Sequence, residues 1–339
     1  VAGRRSRRYS YVWIALSIGA AMGVAAWWSA AAPAAARRAP RAAMSVVGGH
    51  AASISRFPFQ VALYDPELGR LATGFLCGGV IVDATHVITA AHCLVGTADS
   101  PARVSKEMVV LAGSTSLDRP DPESVRDPAI SVSMDPHYNP VTNDYDIGVV
   151  TLARPLWAGT TAPSASGASP IAPLPIDRAA AESYGEPDAS PSILATVSGW
   201  GDTNPAPAGA FRYPSALRAN TVPLVSEPLC QEQYAAIEQA ITPRMLCAGS
   251  SRPRADSCYG DSGGPLVVDR DSPARPPEDY VLVGLVDFGN GCAQPGFAGV
   301  YTRIADPAIA HFIASEIGHR AKVAVGRQGH RRKRHRARR

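Results

Sequence analysis

The sequence predicts an all-β fold of two strand-rich units closed by a single C-terminal α-helix. Between positions 46 and 317 the apolar residues fall in short runs rich in Val, Ile, Leu, Tyr and Thr, cut by Gly, Pro and Asp turns. Helical periodicity is scarce until Ile309, Phe312, Ile313 and Ile317, which lie at i, i+3, i+4 and i+8. In chain order the strand signals are Phe59 to Tyr64, Gly79 to Val82, Val109 to Ala112, Ile147 to Leu152, Pro265 to Val268 and Tyr280 to Val286. Residues 159–193 are Ala, Ser, Thr, Gly and Pro with no sustained period, so they read as the connection between the two β units. The closing helix follows Asp306-Pro307, a capping acid and then a proline at the first helical position.

Composition sets the class. The chain has 339 residues, 46% hydrophobic and 18% charged, which excludes a mainly disordered or collagen-like protein and leaves room for a sizeable core. The formal charge of +4 hides an uneven distribution. Residues 1–41 hold seven Arg and residues 320–339 hold ten Lys or Arg, with no acid in either, so the body between them carries a net charge of −13.

Both ends read as appendages. Arg4, Arg5, Arg7 and Arg8 precede the uncharged stretch 9–36, whose Ala34-Ala35-Ala36 offers a cleavage site, so residues 1–36 read as an export signal and 37–45 as a propeptide. The alternative is an uncleaved membrane anchor over 9–36, since the run is long enough to span a bilayer. The alanine-rich leader points to a bacterial secreted protein. Residues 319–339 read as a disordered basic tail, suited to an anionic polymer or surface.

Six cysteines stand at 77, 93, 230, 247, 258 and 292, with no C-x-x-C pair, a pattern that suits disulfides in an oxidising compartment better than zinc. The densest metal alternative, Cys77, His86, His92 and Cys93, lacks the paired spacing of structural zinc sites. No metal or cofactor is therefore expected. Whether Asp118, Asp121 and Glu123 bind calcium is left open by the sequence.

Three local contexts carry chemistry. Gly260-Asp261-Ser262-Gly263-Gly264-Pro265 surrounds a serine with glycines that admit a substrate backbone, making Ser262 a candidate nucleophile. The same residues match the G-x-S-x-G of an α/β-hydrolase, with Asp287 and His311 in that family's chain order. A nucleophile elbow must open into a helix, however, and Gly-Gly-Pro followed by Leu266-Val267-Val268 favours a strand. Upstream, Thr89-Ala90-Ala91-His92-Cys93 presents an unobstructed imidazole. Asp146 directly precedes an apolar strand, where a carboxylate needs a partner such as an imidazole; Asp144, two residues earlier, is expected to face solvent.

The order His92, Asp146, Ser262 in these contexts, with the cysteine placement, resembles the trypsin-like (chymotrypsin-fold) serine proteases from Val46 to about Ile317. The resemblance implies two six-stranded antiparallel β-barrels packed together with a C-terminal helix, over residues 46–318. It implies a monomeric endopeptidase acting on proteins or peptides: Ser262 as nucleophile, His92 as general base and acid, Asp146 as orienter, and the N–H groups of Gly260 and Ser262 as oxyanion hole. It pairs Cys77 with Cys93, Cys230 with Cys247, and Cys258 with Cys292. Asp256, six residues before the serine, falls at the base of the primary pocket, with Gly289 and Gly299 keeping that pocket open, so cleavage after Lys or Arg is expected. Val46 matches the mature amino terminus, whose freed amine would sit beside Asp261, which makes the uncut chain a zymogen. The rival is a catalytically silent homologue that binds proteins or anionic surfaces; the complete triad favours the enzyme.

This sequence departs from the family at Asp287-Phe288, where Ser-Trp is usual, and at Tyr259, where Gln is common. Asp287 adds a second acid beside Asp146. Ser45 precedes Val46 where a basic residue is usual, so self-activation at that bond is not expected and another protease, or a signal-peptidase-like cut, is required.

Overall fold

A computed structural model describes residues 46–95, 108–158, 169–184, 193–203, 214–249, 255–270 and 280–318. The export signal or anchor, the propeptide, the basic tail and much of the 159–193 connection lie outside the described residues.

Six strands form the first barrel: β2 (Gln60–Tyr64), β3 (Phe75–Ile81), β4 (His86–Thr89), β5 (Val109–Ala112), β6 (Val125–Met134) and β7 (Gly148–Leu152). They close in the order β2-β3-β4-β7-β6-β5, and every pairing is antiparallel. Val61, Leu63, Ile81, Val87, Val110, Val150 and Leu152 fill this barrel. The second barrel contains β8 (Leu194–Gly199), β9 (Arg218–Val225), β10 (Met245–Ala248), β11 (Pro265–Asp269), β12 (Tyr280–Phe288) and β13 (Gly299–Arg303). Its sheet runs β9-β10-β13-β12-β11-β8 and closes through a β8–β9 pairing, while the two-residue β1 (His50–Ala51) pairs with Arg218 and Ala219 at the start of β9. Its filling includes Val197, Val222, Leu266, Val281, Val283 and Tyr301.

β2, β4, β7 and β10 are buried along their whole length instead of alternating. One face of each lines its barrel and the other packs beneath loops or the second barrel, so their sequences are continuous apolar runs. The largest apolar cluster lies between the barrels, where Phe57, Phe59, Ile88 and Val149 meet Trp200, Val267, Tyr280, Leu282 and Leu285. Phe57 stacks on Tyr280, and Phe59 meets the same ring edge-on. Each such fully buried side chain is worth about 1.5–3 kcal/mol. Gln60 and Ser198 also join the barrels: the Gln60 amide donates to the Ser198 carbonyl at 2.8 Å and the Ser198 hydroxyl to Gln60 Oε1 at 2.5 Å.

The closing helix α4 covers 307–318. Asp306 Oδ1 caps it by accepting from the N–H groups of Ala308 and Ile309, and Ile309, Phe312 and Ile313 insert into the inter-barrel cluster. It is not the only helix. The short α1 (Leu71–Gly74), α2 (Arg178–Tyr184) and the nine-residue α3 (Glu227–Ala235) interrupt the strands. α3 escapes a periodicity search because it buries only Cys230 and Tyr234, one above the other at i and i+4. No helix among the described residues is long and apolar enough to cross a membrane.

Disulfides join Cys77 to Cys93, Cys230 to Cys247 and Cys258 to Cys292, across sequence separations of 16, 17 and 34 residues. Bridges of this kind typically stabilise by about 2–4 kcal/mol each.

Candidate active site

His92 sits in a 3-10 turn, Ala91–Cys93, that leaves β4 at the barrel junction, and the Cys77–Cys93 bridge ties that turn to β3. Asp146 lies just before β7, reached through two left-handed residues, Asn143 (φ 56°) and Tyr145 (φ 57°). Its fully buried carboxylate accepts the His92 backbone N–H at 2.8 Å on Oδ1 and faces His92 Nδ1 at 2.6 Å from Oδ2. Two bonds from one residue fix the imidazole edge and its tautomer, leaving Nε2 toward the cleft. Burial acts to lower the imidazole pKa, but the hydrogen bond and charge of Asp146 outweigh it and hold His92 above its ordinary value.

Ser262 comes from the second barrel, in the turn that enters β11. Gly78 N donates to the Ser262 carbonyl at 2.8 Å, so β3 of the first barrel holds the serine loop directly. Gly263 makes that approach possible: at φ 72°, a Cβ there would lie 2.0 Å from Thr89 Oγ1 and 2.7 Å from the Gly78 carbonyl. The strand after the serine excludes the α/β-hydrolase elbow, and His311 lies on α4, the closing helix.

His92 and Ser262 line one cavity of about 270 Å³ together with Asn143, Asp256, Asp287, Phe288, Gly289 and Gly299. Asp256 is 4% exposed; its Oδ2 accepts the Ala293 N–H at 2.8 Å, while Oδ1 has no hydrogen-bond partner. A Cβ on Gly299 would stand 2.7 Å from that free oxygen. Burial pushes the Asp256 carboxyl up to about 7. The cavity is thus lined by a buried acid with one oxygen bound and one free.

Asp261 is sealed from solvent. Its oxygens accept the N–H groups of Gly201 at 2.8 Å and Cys258 at 2.9 Å, and burial raises its pKa to about 7. Gly260 turns at φ 93° just before it. Val46 is wholly buried at φ 43°, and Val47 bridges Asp256.

A scan against family models matches residues 46–313 to the Trypsin family. The chain belongs to the trypsin family of serine endopeptidases. It is 30% identical over 260 residues to a trypsin of Saccharopolyspora erythraea, covering 76% of this chain and 93% of that one. With a trypsin of Simulium vittatum it shares 33% over 266 residues, covering 77% and 90%. Transmembrane protease serine 9 of Rattus norvegicus is 33% identical over 264 residues, 78% of this chain but only 21% of that much longer protein.

Within this trypsin-family enzyme one reading of the sequence needs correction, and one contact escaped it. Asp144 is only partly exposed and does not stand free in solvent: its carboxylate takes both Nε and Nη2 of Arg244 at 2.7 Å and the Thr242 hydroxyl at 2.8 Å. Thr302, which no motif singled out, donates to the Asp146 carbonyl at 2.7 Å. Both contacts come from the second barrel, over 98 or more residues of sequence, and nothing local signals them. The grouping Cys77, His86, His92 and Cys93 is no metal site, because both cysteines are oxidised and His86 is bound to Asp83. In the Asp118–Glu123 loop, Asp121 spends one oxygen on the Thr115 N–H.

Proposed function

We propose that the chain is a secreted endopeptidase that hydrolyses peptide bonds after Lys or Arg. The observation that carries this is the buried Asp256 carboxylate at the end of the cavity, with one oxygen free. A Lys or Arg side chain entering there supplies the missing donors and keeps the acid ionised.

In this reading Ser262 attacks the scissile carbonyl, His92 takes the serine proton and returns it to the leaving amine, and Asp146 holds the imidazole and stabilises its charged form. The oxyanion forms against the N–H groups of Gly260 and Ser262, and water then releases the acyl-enzyme through His92 in reverse. Activity requires an amino terminus at Val46 whose amine pairs with Asp261; the chain before that cut is a zymogen.

Export is supported by the charged-then-apolar leader and by three disulfides. A bacterial source, a monomeric state and contact of the basic tail with an anionic polymer belong to the same reading; retention by residues 9–36 as an anchor is the alternative. The deciding assay uses protein beginning at Val46 on matched short amides ending in Arg, Phe or Ala, with Ser262→Ala as control. Arg-selective cleavage lost in the control is expected. Folded protein that cleaves none of them would overturn the proposal in favour of a silent binding homologue.

A further inference from the structure

Asp287 lies where β12 bulges away from its partner: Val286 pairs with Tyr301 and Phe288 with Val300, so Asp287 is the extra residue. The bulge delivers a carboxyl, 5% exposed, to the rear of the site, where ligand atoms of His92, Asp146 and Asp287 all lie within 4.8 Å of one another. Neither Asp287 oxygen has a hydrogen-bond partner at normal geometry. The groups that bear on it are Asp144 and Asp146 from the loop before β7, with the Asn143 amide, Tyr138 after β6, Tyr234 of α3, and His92. Arg244 is committed to Asp144.

Two ionised carboxylates cannot share so dry a space without a cation between them. Asp146 already receives two N–H donors from His92, which favour its charged form, so the proton of the pair resides on Asp287. Burial, and next the charge of Asp146, hold the Asp287 carboxyl well above the usual carboxylate range. An acid has an O–H to give, and the acceptor beside it is Asp146. We propose that Asp287 is a positioning residue, a neutral carboxylic acid whose O–H donates to the Asp146 carboxylate and fixes that group behind His92.

The proposal rests on the reading of His92 and Asp146 as base and orienter, and its first test needs no turnover. The infrared difference between Ser262→Ala and Ser262→Ala/Asp287→Asn at pH 7 is expected to show the C=O stretch of a protonated carboxylic acid, shifted in D2O. Carboxylate bands in its place overturn the proposal. In active protein, Asp287→Leu is expected to lose about 10- to 100-fold in kcat with KM little changed, the worth of one hydrogen bond to a charged group. Asp287→Asn and Asp287→Ser, which keep a donor, are expected to recover most of that loss. The acid limb of kcat/KM, which follows His92, is expected to stay in place in the Asn variant. If Asp287 were ionised, its removal would lower that limb by about one unit or more, and this outcome, or equal losses in all three variants, sinks the idea. Should the Leu variant not fold, the infrared band and the Asn acid limb decide. A silent protein that still shows the acid band counts against the protease reading and leaves the proton assignment standing.

Discussion

Asp256, Asp261 and Asp287 are each no more than 5% exposed, and burying an unpaired carboxylate costs several kcal/mol. Such a cost persists where function needs it, and for Asp256 the sign can be worked out. Its folded pKa is raised from 3.8 to about 7, so the folded state holds its proton more tightly than the unfolded chain. That contribution is fully present below about pH 4 and lost as pH rises through about 7. Asp256→Ser, measured in the Ser262→Ala background, is therefore expected to be more stable than its parent at pH 8, on the order of a few kcal/mol, with the difference shrinking toward pH 4. In active protein the same change is expected to cost roughly 10³-fold in kcat/KM on Arg amides, the usual penalty for removing one partner of a buried ion pair. A melting series in pH and one kinetic comparison check both halves; unchanged Arg selectivity would remove Asp256 from the pocket assignment. Asp256 was legible in the sequence because Cys258 and Ser262 fix its register. Thr302 was not, since its role is to reach a carbonyl 156 residues away and its own surroundings are an ordinary strand.

The strands were readable because barrel walls demand β-branched runs between turn residues, and α4 because Asp306-Pro307 caps a regular apolar stripe. α3 was not, because its position depends on Cys230 and Tyr234 and not on a stripe; Tyr234 is held by its hydroxyl, which donates to the Ala298 carbonyl at 2.6 Å. The segment 143–146 shows how elements from both barrels build one loop. Its Asp144 is clamped by Arg244, whose guanidinium also lies over the Tyr145 ring at 4.5 Å from the centroid. Burial alone would raise the Asp144 pKa, but the Arg244 and Thr242 hydrogen bonds outweigh it and lower it. The clamp therefore stabilises at neutral pH and is lost as pH falls below about 4. Arg244→Met is expected to destabilise, and a double-mutant cycle with Asp144→Asn to return a coupling of about 1 kcal/mol at pH 7, vanishing near pH 2. The coupling should be accompanied by a fall in kcat, because the same loop carries Asp146. A coupling of zero at pH 7 would mean that the clamp is ornamental.

Each barrel contributes part of the site, His92 and Asp146 from one and Ser262 and Asp256 from the other, so the site exists only when both are packed and the second barrel's loops are ordered. The charge distribution adds a consequence at this scale: an enzyme cutting after Lys or Arg carries ten such residues between 320 and 339. Intact-mass analysis is expected to show progressive tail loss in the wild type and none in Ser262→Ala; equal loss in both would exclude self-cleavage. The amino-terminal side sets a stricter condition. Val46 is β-branched at φ 43°, a left-handed conformation that brings its Cβ against the preceding carbonyl at a cost of about 1–2 kcal/mol. Cutting the Ser45–Val46 bond removes that carbonyl, and with it the strain, while creating an ammonium. Asp261 is a buried acid held by two backbone N–H groups, with its pKa raised to about 7, and it supplies the matching anion. Pairing would draw the proton off Asp261 and order the turn at Gly260 that aims the oxyanion donors. Protein beginning at Val46 is therefore expected to exceed protein beginning at Ser45 by about 10²- to 10³-fold in kcat, the worth of an oxyanion hole. It is also expected to melt higher at pH 8, with the gap narrowing as pH falls below about 7, where Asp261 of the uncut chain takes up its proton. Equal activity from the two proteins would show that the turn is ordered without the new terminus, and that the uncut chain is no zymogen.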